Sequence, residues 1–535
     1  MSATYSVSHY NEYQQTKNKN LFEEIVDQMM LDGINPALHE KIKNLPLEDK
    51  RMAILAFLDQ DRNLFMKIKS LISRENLSKM DYVKDVIRML REYVKVGEVE
   101  KKKFGEVMTS LDLVKEMIAT LPEEVWSNPN LKWLDPANGT GPFPIMVIYR
   151  LMVGLEKWQP DPNLRYKHIV ENMIYTCELQ AKNVFLWLCA VDPHDEYETN
   201  TYWGSFLDEG FDKHMKDIWG LDKFDMVLGN PPYQVADATG DNKLYLDFSK
   251  KSIKNLKTNG MLLFITPKNI IDYFLICEKN RTYFDKFYQV EHLAIDTPAK
   301  YFKGVGSTFV YFLISKVDYH KETNLIYLDS SGNEKSSSFL LEGGKSIPNI
   351  LSKLDLSIIS KIRKSNNLFD FKKMKTRNLK EFRIRKKQFD DGLVSELKTE
   401  IYPYPVIDGI NKSNTFPGKV FYMKNDYSDN KTKIVFNGSG YLMPSYDERG
   451  NYFLSDNISY IEISSKSEYD SFMSLFNSKI FKYWLNQFRM NGFSDSKNIK
   501  NFPKVDLSMK WTDKDLYEYF NLTEEEINLI ETTIK

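Results

Sequence analysis

Between about residue 104 and residue 316, short apolar runs alternate with helical stretches, and several of the runs stop abruptly at a polar residue or a glycine. Trp133-Leu134-Asp135, Asn172–Glu178 (NMIYTCE), Phe224–Gly229 (FDMVLG), Gly260–Pro267 (GMLLFITP), Val290–Ile295 and Thr308–Ser315 (TFVYFLIS) have the length and residue content of buried strands. Between them, Ile145–Met152, Ala181–Val191 and the stretch opening at Leu244 read as helices. That alternation predicts an α/β doubly wound sheet. Ligands of such sheets bind outside the carboxyl ends of the strands. Asp135, Glu178 and Asn230 all fall at such ends.

The stiffest of these ends is Gly229-Asn230-Pro231-Pro232-Tyr233. Two consecutive prolines fix φ twice and remove two backbone donors. The turn therefore offers carbonyl acceptors beside an amide side chain and an aromatic ring, which suits a planar substrate carrying an amino group. At the first strand end, Asp135-Pro136-Ala137-Asn138-Gly139-Thr140-Gly141-Pro142-Phe143 leads into an apolar helix. Gly139 and Gly141 let backbone approach a ligand, and the helix N-terminus offers N–H groups. A phosphate cradle would carry a cation here; Asp135 instead favours a positively charged ligand. A lone Glu178 would more often be a surface residue. In register with Asp135 and Asn230 it reads as a carboxylate for two ribose hydroxyls. The Asp135–Glu178 interval exceeds the roughly 20 residues of simple dinucleotide folds, and the Pro- and Asp-rich stretch from Trp158 to Lys167 absorbs the excess.

Together, Asn230-Pro231-Pro232-Tyr233 and the Asp135–Phe143 motif resemble the catalytic tetrapeptide and the S-adenosylmethionine-binding motif of amino-methyltransferases, chiefly the DNA adenine-N6 enzymes. Cofactor motif, tetrapeptide and long variable domain follow one another as in the γ class. The resemblance implies a Rossmann-like methyltransferase domain over 101–318, preceded by a helical segment (1–100). An α+β target-recognition domain (319–510) and a helical tail (511–535) would follow. It implies S-adenosylmethionine as cofactor and methyl transfer to N6 of an adenine flipped out of duplex DNA, in a restriction–modification or phage-defence setting. Asn230, Pro231, Pro232 and Tyr233 would be catalytic, and Tyr233 and Phe302 would stack the target base. Thr109, Asp135, Pro136, Ala137, Asn138, Gly139, Gly141, Glu178, Ser205 and Phe206 would hold the cofactor, Thr109 at its methionine end. The chain departs from the family at Ser205, where an Asp usually holds the cofactor's adenine; the serine hydroxyl or nearby Asp208 substitutes, or the contact is missing.

Other readings stay open. Cytosine-N4 enzymes use related tetrapeptides that usually begin with Ser. Protein-glutamine and RNA methyltransferases also carry Asn-Pro-Pro-Tyr, generally without a long C-terminal domain. A recognition subunit whose methyltransferase fold only binds is a further class.

Outside the alternating segment, residues 1–100 read as amphipathic helices around Leu21–Met30, Met52–Leu58 and Val83–Val94, a cap or docking region. Glu100-Lys101-Lys102 lies in a charged run and carries no nuclease signature. The formal net charge is −1, so any nucleic-acid surface must be local. The basic run between Lys372 and Lys387 supplies a candidate phosphate footprint in Lys372, Lys373, Lys375, Arg377, Arg383, Arg385, Lys386 and Lys387. The loops Phe436–Gly440 and Phe488–Ser494 carry Arg, Asn and Ser, residue types that read base edges. Double-stranded DNA is the expected partner, with room for a separate restriction endonuclease or defence subunit. Cys177, Cys189 and Cys277 have no metal-type spacing, and no metal site is expected. The polar N-terminus lacks the apolar core of a signal peptide, and no apolar run approaches the ~20 residues of a membrane span. A cytoplasmic protein is the expectation.

Overall fold

The structure, a computed structural model, describes residues 79–93, 109–192, 196–233, 243–271, 288–302, 308–317, 321–328, 332–339, 352–364, 367–372, 384–410, 420–437, 444–488 and 501–534, and positions 24, 25, 28, 45, 49, 50, 53, 275, 348, 374, 417 and 499. The chain divides into two compact units, Met1–Lys345 and Ser346–Lys535.

The first unit is built on a nine-stranded sheet in the order β3-β2-β1-β4-β5-β7-β6-β8-β9. The strands are β1 Trp133–Asp135, β2 Ile174–Glu178, β3 Asn200–Trp203, β4 Phe224–Gly229, β5 Leu256–Pro267, β6 Gln289–Ile295, β7 Phe309–Ser315, β8 Thr323–Leu328 and β9 Glu334–Phe339. β1 to β5 run parallel, and β7 lies antiparallel between β5 and β6. Every residue of β1 and β2 is buried, as expected for parallel strands covered on both faces. The helices Pro142–Gly154 and Ala181–Val191 supply much of that cover, through Met146, Leu151, Phe185 and Trp187 among others. β2 and β3 lie on one side of β1, and β4 and β5 on the other. The order therefore reverses between β1 and β4, and that reversal opens a crevice at their carboxyl ends.

The sheet does not stop at residue 318, the boundary read from the sequence. β8 pairs parallel with β6, and β9 closes the edge antiparallel to β8. Alternating burial along β8 explains the difference, because a strand apolar on one face only lacks the continuous apolar run of the central strands. Of the N-terminal runs, the helix Met80–Tyr93 is described. Val83, Val86 and Ile87 are buried in the same core as the sheet's helices. The runs around 21–30 and 52–58 lie outside the described residues apart from a few positions, of which Ile25 and Ala53 pack on that core.

The second unit is α+β. It holds a four-stranded and a three-stranded sheet, largely antiparallel. Helices Asp513–Tyr519 and Glu524–Thr533 are integral to it rather than a separate tail: Leu516, Phe520 and Ile530 share one apolar cluster with Trp484 and Phe502. Among the described residues no helix is long and apolar enough to cross a membrane, and no group of three metal-ligating side chains occurs. Cys177 and Cys189 are buried; Cys277 lies outside the described residues.

Candidate functional site

The carboxyl ends of β1, β2, β3 and β4 open on one cavity of about 210 Å3. Its lining includes Thr109, Pro136, Ala137, Asn138, Gly139, Glu178, Ser205, Phe206, Asn230, Pro231, Pro232 and Tyr233. Twelve candidates read from the sequence are thus brought together from five separate stretches of chain. Asp135, Gly141 and Phe302 are not among the lining residues.

Asp135 lies beneath the cavity rather than in its wall. Its Oδ1 accepts a hydrogen bond from Ala137 N at 3.1 Å, and a Cβ on Gly229 would sit 2.7 Å from the same oxygen. Glycine at 229 is therefore what lets the carboxylate fit between β1 and β4. Burial, aided by the neighbouring Glu178 charge and opposed by the Ala137 hydrogen bond, pushes the Asp135 carboxyl up to about 8. Glu178 organises the loop that follows β1. Its Oε2 accepts from Gly139 N at 2.8 Å, and Oε1 accepts from Gln180 N at 2.8 Å. Asn183 Nδ2 also donates to Oε1, at 3.5 Å.

The two glycines of the loop do different work. At Gly139, with φ +54°, an added Cβ would meet nothing within 4 Å. At Gly141, with φ +93°, it would strike the Trp187 ring at 2.5 Å. Gly141 serves helix packing, and Gly139 is the one exposed to the cavity. Ser205 Oγ accepts from Leu207 N at 3.2 Å and borders the cavity, whereas Asp208 is not among the lining residues. Phe206 is buried against Phe211 and Phe248 and still lines one wall.

Asn230 leaves β4 with its side chain held: Nδ2 donates to Thr109 Oγ1 at 2.9 Å. Pro231 is buried, and Pro232 and Tyr233 are half-buried. Burial pushes the Tyr233 phenol well above its usual range, so it stays protonated. The ring centroid of Tyr233 lies 5.5 Å from that of Phe309. Phe302 packs on Phe309 at 4.4 Å and is buried in the core. Among the described residues the ring beside Tyr233 is that of Phe309, and Phe302, packed on Phe309, is not among those lining the cavity. The sequence offered no way to tell them apart, because Phe309 reads as an ordinary strand residue.

The sequence also missed lining residues. Gln180 and Asn183 stand at the start of the apolar helix after β2, Leu244 and Phe248 on the helix after the tetrapeptide, and Ile87 on the N-terminal helix. Gln180 and Asn183 were detectable as polar residues opening an otherwise apolar helix; Ile87 had no such signal. Glu178 is the one charged residue among those lining the cavity, and the Asn138 Oδ1 atom is buried without a hydrogen-bond partner among the described residues.

In the second unit, Lys372 is already engaged, 3.1 Å from Glu462 and 3.5 Å from Asp370. Arg385 and Lys387 are exposed. Lys373, Lys375, Arg377 and Arg383 lie outside the described residues, as do the side chain of Lys386 and most of the loops 436–440 and 488–494.

Residues 193–302 match the family model described as Eco57I restriction-modification methylase. That span contains β3, β4 and Asn230–Tyr233 but not Asp135 or Glu178. An uncharacterized adenine-specific methylase of Mycoplasma pneumoniae is 26% identical over 236 residues, covering 31% of this chain and 56% of that protein. Modification methylase CviBIII of Paramecium bursaria Chlorella virus NC1A is 24% identical over 198 residues, covering 35% of this chain and 44% of that protein. The chain thus spans about half the length of these curated relatives. The Type IIL restriction-modification enzyme MmeI in complex with DNA matches at TM-score 0.45 and 12% identity, covering 79% of this chain and 71% of that one.

Proposed function

We propose that this chain is a DNA methyltransferase that transfers a methyl group from S-adenosylmethionine to N6 of a flipped adenine in duplex DNA, within a restriction–modification or phage-defence system. The observation that carries the reading is the convergence of Asn230-Pro231-Pro232-Tyr233 with the Glu178–Gly139 loop on one cavity. The match of residues 193–302 to a restriction–modification methylase family and the two methylase relatives support it.

The cavity suits the cofactor. Among the described residues its one charged lining residue is a carboxylate, with the buried Asp135 carboxyl beneath it, which favours a cation over a phosphate. Among the described residues Asn138 Oδ1 has no partner and offers an acceptor, and the open space at Gly139 allows close approach to backbone. Glu178 would accept the ribose hydroxyls, Ser205 Oγ would take the place of the usual acid at the adenine amine, and Phe206 would pack on the adenine ring. When bound, S-adenosylmethionine supplies an electrophilic methyl group on a sulfonium.

The chain's own contribution is positioning and electrostatics. Adenine's amino lone pair is delocalised into the ring, which makes it a poor nucleophile. Asn230 Oδ1 and the Pro231 carbonyl would accept the two N–H bonds and draw the nitrogen towards tetrahedral geometry. The Tyr233 ring would stack the base, offsetting part of the few kcal/mol that unstacking costs. Duplex DNA is the proposed partner, with the exposed Arg385 and Lys387 as candidate phosphate contacts. The test is genomic DNA from cells expressing the wild type or Asn230→Ala, read for modified bases. N6-methyladenine at a defined sequence in the wild type alone is expected. N4-methylcytosine, or no modified base alongside intact DNA binding, overturns the reading.

A further inference from the structure

We infer that Thr109 is a positioning residue for methyl transfer, acting through Asn230; the inference rests on the function proposed above. Thr109 Oγ1 accepts from Asn230 Nδ2 at 2.9 Å, across 121 residues of sequence. Both side chains border the cavity. The resemblance assigns Thr109 to the methionine end of the cofactor, and nothing in it ties this residue to the tetrapeptide.

The local structure makes Thr109 a firm anchor. The next residue, Ser110, caps the helix Leu111–Ile118, its Oγ accepting from Leu113 N at 3.1 Å. That helix is buried through Leu113, Val114, Met117 and Ile118, and Thr109 itself is 6% exposed. A functional side chain held from such an element keeps its geometry better than one on an unsupported loop.

The chemistry needs that anchor. A carboxamide carries an acceptor oxygen and a donor NH2 on one carbon, and a half-turn exchanges them with little change of shape. Towards an exocyclic amine the two orientations are opposites. With the oxygen forward, Asn230 accepts an N–H; with the NH2 forward, donor faces donor. Binding Nδ2 at Thr109 sets the amide plane and assigns the oxygen to the other side.

The test uses the full chain as wild type, Thr109→Val, which keeps the shape but loses the hydroxyl, and Thr109→Ser, which restores it. Two readouts are taken: hydrogen exchange of the Asn230 side-chain NH2 by 15N NMR in the ligand-free protein, assigned with Asn230→Ala, and kcat together with the S-adenosylmethionine dissociation constant. Thr109→Val should exchange the Asn230 NH2 faster and lower kcat on the order of 10- to 100-fold, with cofactor affinity nearly unchanged; Thr109→Ser should recover both. Unaltered Asn230 exchange in Thr109→Val overturns the inference, as does a loss of cofactor affinity with kcat intact. A wild type that methylates no DNA overturns the proposed function instead, while the exchange measurement still decides the Thr109–Asn230 bond.

Discussion

Glu178 Oε2 accepts the Gly139 amide at 2.8 Å, so the last residue of β2 holds the loop that follows β1. The carboxylate proposed for the cofactor's ribose is therefore also part of the scaffold. Glu178→Gln puts an NH2 donor opposite one of two backbone N–H groups, leaving it unsatisfied. A loss of about 1–3 kcal/mol in stability is expected without any ligand, together with weaker S-adenosylmethionine binding. Denaturant unfolding of the ligand-free protein checks this, since a residue serving the ligand alone would leave unfolding unchanged.

Gly229 and Gly139 separate scaffold from ligand approach in a second way. Gly229→Ala drives a Cβ to 2.7 Å from Asp135 Oδ1 at φ +156°, and a cost of a few kcal/mol is expected. Gly139→Ala meets no atom within 4 Å at φ +54°, so about 1–2 kcal/mol of backbone strain is expected, with a proportionally larger loss of cofactor affinity. Parallel unfolding and binding titrations of the two variants check the contrast.

The buried titratable groups of the first unit predict a pH optimum for stability. Burial lowers His214 and His292 to about 4, against roughly 6.5 in an unfolded chain. The stability they contribute is present above about pH 6.5 and is lost as pH falls towards 4. Asp135, raised to about 8, works the other way: its contribution is full below the unfolded value of about 3.9 and is lost as pH rises to 8. Two histidines outweigh one aspartate below pH 6.5, and Asp135 acts alone above it. Within this set of groups, stability should peak near pH 6.5, with a slope of up to about 1.4 kcal/mol per pH unit on either side. Asp135→Asn should flatten the alkaline side and steepen the acid side, where the two histidines then act unopposed, as read by urea unfolding at pH 5, 6.5 and 8.

The same carboxyl couples to ligand charge. A cation entering the cavity above Asp135 favours the ionised form. Binding of S-adenosylmethionine should release a proton near pH 7 and tighten as pH rises towards 8, and Asp135→Asn should abolish that dependence. Calorimetry in two buffers of different ionisation enthalpy measures the proton directly.

For DNA, the Lys372–Glu462 pair predicts that Lys372→Ala barely changes the slope of affinity against salt. Glu462→Gln should steepen it by loosening both Lys372 and Lys431, which share that carboxylate, by up to about 0.9 for each phosphate one of them reaches. Filter binding across a salt series distinguishes the two.

Much of the first unit was legible because strands buried on both faces leave continuous apolar runs, as the parallel β1, β2, β4 and β5 and the antiparallel β7 all do. The strand ends carrying Asp135, Glu178 and Asn230 were legible for the same reason. β8 and β9 were not, because β8 buries only one face and β9 is the edge. Nor were the relations between distant segments: that Thr109 reaches Asn230, that Phe309 rather than Phe302 lies beside Tyr233, and that Gly141 serves Trp187 are facts of packing with no local pattern. Ile87 reached the cavity wall from a helix whose periodicity says only that one face is buried.

The central claim is transfer of a methyl group to adenine by Asn230. It is tested most directly by incubating the purified chain with labelled S-adenosylmethionine and unmethylated duplex DNA, digesting to nucleosides and identifying the labelled one. Label in N6-methyl-2′-deoxyadenosine for the wild type, absent for Asn230→Ala at unchanged cofactor affinity, is the predicted result. Label in another base, or in the DNA of both proteins alike, would contradict it.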